Sequence, residues 1–284
     1  EVASDRERQH HSGDCGVQVT GPTRTWGSAF QLDDLLSEMP GGVEVAARDF
    51  ALVTLVGHLA ASFPRELVFK GGFVLRHVHG FLRFSSDADS TRHAPAHHKL
   101  DFEEVARVIR DASVGDIVRF DPQLPATDSA RSLDFDDVRI SGTKIRPDKV
   151  QIEVSYREGV IDEPTHTFVG APFYEAFEIL VMTLSEMSSE KLRALAQRVR
   201  PTDLADLAVM LLREETSDDD IARLSVHKFE LVRQGAANRV ERIEQHLREI
   251  GVEYDAVVPG LFPEAPTYAE AMEAVWPRIK PLIP

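Results

Sequence analysis

Val68-Phe69-Lys70-Gly71-Gly72-Phe73-Val74-Leu75-Arg76, followed by Arg83-Phe84-Ser85-Ser86-Asp87-Ala88-Asp89, is the stretch on which the reading of this chain turns. The apolar run from Glu66 to Lys70 predicts a strand that enters a Gly-Gly turn and opens a helix over Phe73 to His79, ended by Gly80. Glycine lets the backbone approach a ligand closely, and a helix N-terminus offers free N–H groups to a phosphate. Such pairs also make ordinary tight turns, so both readings stand for Gly71-Gly72 alone. Arg83 to Ala88 leads into a second strand. Asp87 and Asp89, two residues apart on it, project from one face, where both carboxylates can meet one cation. Hard oxygen ligands suit magnesium, which one or two carboxylates commonly hold together with substrate phosphates. An Asp-x-Asp pair by itself also describes a solvated acidic edge. A Gly-Gly turn followed within one helix by paired carboxylates is a narrower combination.

Working outward, short predicted helices cover Gln31 to Met39 and Asp101 to Ala112. A longer one covers Val43 to Ser62, where Val45, Phe50, Val53, Val56 and Leu59 recur mostly at helical spacing. Asp137 to Thr143 and Lys149 to Glu158 read as strands joined by a hairpin at Lys144 to Asp148. In the second, Val150, Ile152, Val154 and Tyr156 alternate with Gln151, Glu153, Ser155 and Arg157. Glu153 thus lies on a polar face, either as a third carboxylate beside Asp87 and Asp89 or as an ordinary exposed residue. Beyond it the character changes. Tyr174 to Arg198, Asp203 to Arg213, Asp218 to Leu224 and Phe229 to Ile250 all read as helices. In the first of these Lys191 borders a stripe of Phe177, Leu180, Val181, Leu184, Met187, Leu192 and Leu195. It reads as an exposed lysine able to face a cleft, and its loss should cost little stability. The fold class is therefore α+β: a mixed-sheet core over 29–171, a helical C-terminal domain over 172–284, and a flexible leader over 1–28.

Composition narrows the function. The 284 residues include 32 Lys+Arg against 47 Asp+Glu, a net charge of −15, which argues against unspecific binding to a nucleic-acid backbone but permits a local basic groove. Cys15 is the only cysteine, which excludes a disulfide framework and a thiolate zinc site and fits a reducing cytoplasm. The longest apolar run, Phe50 to Ala61, is short of a membrane span and is interrupted by His58, so no membrane partner is expected. Residues 1–28 lack the layout of a signal peptide. His93, His97 and His98 cluster around Pro95 without acidic or thiolate companions and read as a solvated loop more readily than as a metal site. Trp26, Phe63, Phe229 and Trp276 read as core or lid packing. Arg198 and Arg200 either contact phosphates or complement a helix C-terminus.

Lys70-Gly71-Gly72-x-x-Leu75-Arg76 with Arg83-Phe84-Ser85-x-Asp87-x-Asp89 resembles the first two motifs of the AbiEii/AbiGii-type, MenT-like nucleotidyltransferase toxins of type IV toxin–antitoxin systems. Glu190-Lys191-Leu192-Arg193-Ala194-Leu195 and Arg200-Pro201-Thr202-Asp203-Leu204-Ala205-Asp206-Leu207 are similar to that family's later motifs, in which a lysine on one helix and an aspartate near the start of the next face the nucleotide. Phe73 departs from the small residue common after the glycines. The resemblance implies a nucleotidyltransferase-type core that moves a nucleotide from an NTP to an acceptor, with the tRNA 3' end as target, Mg2+ as cofactor and a cognate antitoxin as partner. It implies Asp87, Asp89, Glu153, Lys191 and Asp203 as catalytic residues. Metal would fall to Asp87, Asp89 and Glu153, and nucleotide binding to Lys70, Gly71, Gly72, Ser85 and Lys191. Two alternatives remain at this point: modification of a protein or small molecule, and a degenerate interaction module without catalysis. A groove lined by lysine and arginine beside Asp87 would favour RNA.

Overall fold

A computed structural model describes residues 42–93, 99–123, 127–142, 148–157, 159–169, 176–231 and 238–284. The expected helix at Gln31 to Met39, the hairpin turn after Lys144, Trp26, His97 and His98 lie outside them. Helix α1 (Gly42–Ser62) is followed by β1 (Leu67–Lys70), α2 (Gly71–His77), β2 (Asp87–Arg92), α3 (Phe102–Asp111), β3 (Arg119–Pro122), β4 (Thr127–Asp128), β5 (Ser132–Ser141), β6 (Asp148–Ser155), β7 (Thr165–Val169) and β8 (Phe177–Val181). Helices α4 (Leu184–Leu195), α5 (Pro201–Leu211), α6 (Asp218–Leu231), α7 (Arg239–Ile250), α8 (Tyr254–Leu261) and α9 (Tyr268–Ile279) complete the chain before a short 3-10 turn. The fold is α+β, as the sequence implied.

The strands form one mixed sheet in the order β3-β5-β6-β2-β1-β8-β7, with β4 on β5. β2 runs parallel to β6 and β1 parallel to β8; the other pairs are antiparallel. One side of the central strands is apolar: Ala88, Ile152, Val154, Leu133 and Phe135 are all buried. Helix α1 packs on β2, β6 and β8 and against α3. It extends beyond the run from Phe50 to Ala61, and its length and mean hydropathy of 1.3 match a membrane span, yet 72% of the apolar window is buried inside the protein. Its apolarity is therefore accounted for by core packing. α3 starts where the Asp101 carboxylate accepts a hydrogen bond from the Glu104 N–H at 2.8 Å, a standard N-cap.

One expected helix is not a single helix. Tyr174 to Arg198 divides into the strand β8 and the helix α4. Ile179, Leu180 and Val181 are buried between β1 and β7 and complete the sheet ladder, which outweighs the helical spacing of their side chains. Thr183 then caps α4, its hydroxyl accepting from the Glu186 N–H at 3.2 Å. Leu184, Met187, Leu192 and Leu195 keep their buried positions, whereas Phe177, Leu180 and Val181 belong to the strand. The Asp218 helix runs on to Leu231 and contains the fully buried Phe229, so the last expected helix begins later, at Arg239. β3, β4 and β7 escaped the sequence reading because they are short, two to five residues each, and partly exposed.

Candidate active site

The register of four strands writes a row of charged side chains across the sheet. Lys70 on β1 pairs with Asp89 on β2, Asp89 with Glu153 on β6, and Glu153 with Asp134 on β5. Cross-strand partners share a face, so the carboxylates stand opposite the apolar face described above. Asp87, two residues from Asp89, lies in register with Gln151 on that same face. Glu153 is therefore on the side of Asp87 and Asp89, the condition for it to serve as a third carboxylate.

Gly71 is required twice over. Its φ of 73° is left-handed, and a Cβ there would lie 2.5 Å from Asp89 Oδ2, so the turn lets the carboxylate pack directly on the backbone. A Cβ on Gly72 would lie 2.8 Å from the Ser85 hydroxyl oxygen. Ser85 in turn donates to Asp87 Oδ1. The Gly-Gly pair thus fits Asp89 and, through Ser85, Asp87 to the turn before any phosphate is considered.

Helices α4 and α5 close the other side. Lys191 Nζ sits 2.8 Å from Asp203 Oδ1 and 2.8 Å from Asp206 Oδ2. Both aspartates are fully buried, and each has a second cation: Arg198 Nε at 2.7 Å from Asp203, Arg83 Nε at 2.9 Å from Asp206. Beside them Lys70 Nζ is held 2.7 Å from Glu190, which also pairs with the buried Lys228 at 2.8 Å. Lys228 reaches Glu186 at 2.7 Å and donates to the Gly159 carbonyl at 2.9 Å. Buried charges at this density persist only when fully paired.

Between the sheet and these helices opens a cleft of about 490 Å³, lined among others by Lys70, Gly71, Asp87, Asp89, Glu153 and Lys191. Arg131, Arg157, Arg198 and Arg200 line it too and lie exposed. Of the residues expected from sequence, Asp203 is walled off behind Lys191, Gly72 is buried, and Ser85 opens on a neighbouring cavity of about 190 Å³. Lys191 corrects an expectation. Its side chain is 19% exposed and anchored by two carboxylates, so it is not a free surface lysine. Arg83, Glu190 and Asp206 stood in the quoted motifs without a role, and Glu186 and Lys228 were missed. The Asp203/Asp206 spacing of three on one helix face was the available signal.

The electrostatics follow the pairing. Burial, then Asp87 and Glu153, push the Asp89 carboxyl up to about 7, against the pull of Lys70 and Lys191. Burial would also raise Asp203 and Asp206, but Lys191 with Arg198 or Arg83 holds both well below the usual carboxylate range. Lys191 is raised in spite of its burial, by the same two aspartates. A carboxylate crowded by two others and resisting ionisation fits a site completed by a cation. Among the described residues, however, no three His, Cys, Asp or Glu side chains are gathered tightly enough to cage a metal unaided. A divalent cation held there would need further ligands from outside this set.

Asp89 gives a test of this crowding. Its folded pKa is raised, so ionisation opposes folding, and metal-free stability declines as the pH climbs from about 4 towards 7. Asp89→Asn should therefore raise the thermal midpoint in chelator at pH 8, and the advantage should vanish near pH 4. Equal midpoints at both pH values would show that the carboxylates do not repel one another.

The sequence profile of the family described as nucleotidyl transferase AbiEii toxin, type IV TA system, matches residues 55–276, well over half of the chain. The chain belongs to the AbiEii family. This AbiEii protein is accordingly a nucleotidyltransferase and a toxin of the type IV toxin–antitoxin class, a family that implies an NTP substrate and an antitoxin partner. Divalent metal is a general requirement of such enzymes. Among solved structures, the AbiEii chain is similar to MenT4, a nucleotidyltransferase toxin from Mycobacterium tuberculosis, with a TM-score of 0.63 at 20% identity over 90% of this chain and 88% of that one. It is also similar to JHP933 from Helicobacter pylori, with a TM-score of 0.55 at 16% identity over 84% and 91%. No curated protein sequence matches it. At these identities the likeness speaks to the fold, and the roles of individual residues rest on the geometry above.

Proposed function

We propose that this protein is a cytoplasmic toxin that uses magnesium to transfer a nucleotide from an NTP to the 3' end of an RNA, with tRNA as the acceptor. The observation that carries the reading is the row Lys70–Asp89–Glu153 facing Lys191 across a cleft edged by exposed arginines. On a chain of net charge −15, cations gathered beside the acidic row mark the path of a polyanion. A small-molecule or protein acceptor would not need Arg131, Arg157, Arg198 and Arg200 there.

In this mechanism Asp87 and Asp89 would hold the metal, with Glu153 beside them. Bound there, it would supply positive charge to offset that of the phosphates during an in-line displacement. Gly71 keeps the backbone low beneath the triphosphate, and Lys70, fixed by Glu190, meets its charge. The terminal hydroxyl of the acceptor attacks the α-phosphorus and its proton passes to the Glu153 carboxylate. A new P–O bond forms, and the bond to the pyrophosphate oxygen breaks. Lys191, oriented by Asp203 and Asp206, meets the negative charge that builds on the pyrophosphate. We also propose that the sheet core and the helical C-terminal region act as the two walls of one site.

The test is incubation with each labelled NTP, total RNA and magnesium, with a chelator control. Label should enter the 3' end of RNA of tRNA size from a preferred NTP, and chelation should abolish it. Label that enters protein, or stays in small molecules, would overturn the RNA acceptor.

A further inference from the structure

The 190 Å³ cavity lies against the catalytic face but outside the main cleft, and the mechanism above makes no use of it. Its lining includes Val45 and Arg48 of α1, Asp49, which is paired with Arg76 at 2.6 Å, Phe84 and Asp87, Arg200 ahead of α5, and Val257, Gly260 and Leu261 of α8. Asp87 and Arg200 line both cavities, so the two openings meet at a candidate metal carboxylate. We propose that this cavity receives the terminal nucleotide of the RNA acceptor, while the triphosphate occupies the main cleft. The inference rests on the RNA-acceptor reading and adds where that acceptor sits.

Three observations support it. A transferase needs two substrates to converge on one metal site from different sides, and Asp87 is the shared wall. The smaller cavity has less than half the volume of the cleft, in keeping with one nucleotide end against a whole NTP. Its lining pairs an apolar wall, suited to a nucleobase face, with a cation suited to a phosphate. Val257 and Leu261, one turn apart on α8, are each 40% exposed. Arg200 is exposed and makes no ion pair among the described residues, whereas Arg48 is paired with Asp148 at 2.5 Å. Base stacking on apolar surface with a cation at the phosphate is a common way to hold single-stranded ends. The far wall is fixed in place: the Phe84 N–H donates to the Leu261 carbonyl at 2.8 Å, tying α8 to the segment that leads to Asp87.

Gly260 is a position from which the cavity can be narrowed, since it is exposed and a Cβ there would meet no heavy atom within 4 Å. In Gly260→Phe, and separately in Val257→Glu, the KM for RNA should rise about tenfold or more, a loss of about 1.4 kcal/mol. NTP affinity in magnesium and the thermal midpoint should stay at the wild-type values. Wild-type RNA kinetics in both variants would overturn the pocket and leave the RNA acceptor standing. An equal loss of NTP affinity would also overturn it, by assigning the cavity to the donor. A wild-type protein that labels no RNA would overturn the acceptor reading itself, and this occupant with it.

Discussion

Replacing Asp87 by alanine is expected to leave a folded protein with no measurable nucleotide transfer. Asp87 is half-buried on the polar face of β2, where it accepts a hydrogen bond from the Ser85 hydroxyl, and it holds no part of the apolar core. It adds to the repulsion that burdens Asp89, so its removal should leave the metal-free thermal midpoint unchanged or slightly higher. Its loss should remove several kcal/mol of metal-borne transition-state stabilisation. At 1.36 kcal/mol per decade that amounts to about a thousandfold in rate. Magnesium-dependent NTP binding should weaken in the same variant. Transfer at the wild-type rate would show that the cation is held elsewhere.

Lys191→Ala is expected to damage both stability and turnover. The ammonium bridges Asp203 and Asp206, which are both fully buried. Without it each carboxylate keeps one guanidinium, from Arg198 or Arg83, in surroundings that exclude water. Breaking a buried pair by removing one partner typically costs about 3–5 kcal/mol, a large share of a domain's stability. Turnover should fall at least about tenfold even well below the lowered midpoint, because the charge that meets departing pyrophosphate is gone. Lys191→Arg should recover more stability than activity, since the guanidinium can pair with the aspartates but has a different reach into the cleft. A variant that melts and transfers like wild type would reduce Lys191 to a surface residue and leave the site to the sheet alone.

The parts of this protein that could be read from sequence are those where one local pattern suffices. The Gly71-Gly72 turn, the Asp87/Asp89 pair and the alternation that places Glu153 on the polar face all lie within short segments, and the strand register brings them together. Lys191 was found through its surrounding motif, but its burial was not, because that depends on Asp206, Arg83 and the packing of α5 against α4. The Lys70–Glu190–Lys228–Glu186 chain spans three separate elements and leaves no periodic trace. β8 was misread for a related reason. A short apolar run such as Ile179 to Met182 is ambiguous alone, and only its neighbours β1 and β7 decide between strand and helix.

The parallel pairing of β8 with β1 joins Val68 to Leu180 across more than a hundred residues of chain, and just two residues separate β8 from α4. Parallel ladders cannot form locally, and distant pairings wait on the closure of long loops. During synthesis the strands bearing Asp87, Asp89 and Glu153 emerge early, whereas Glu190, Lys191, Asp203 and Asp206 follow only after β8 is available to dock. The two halves of the cleft therefore meet late, once most of the chain has left the ribosome. In a chain built in this order the acidic row stands without its lysine wall until β8 has docked and α4 and α5 have followed it.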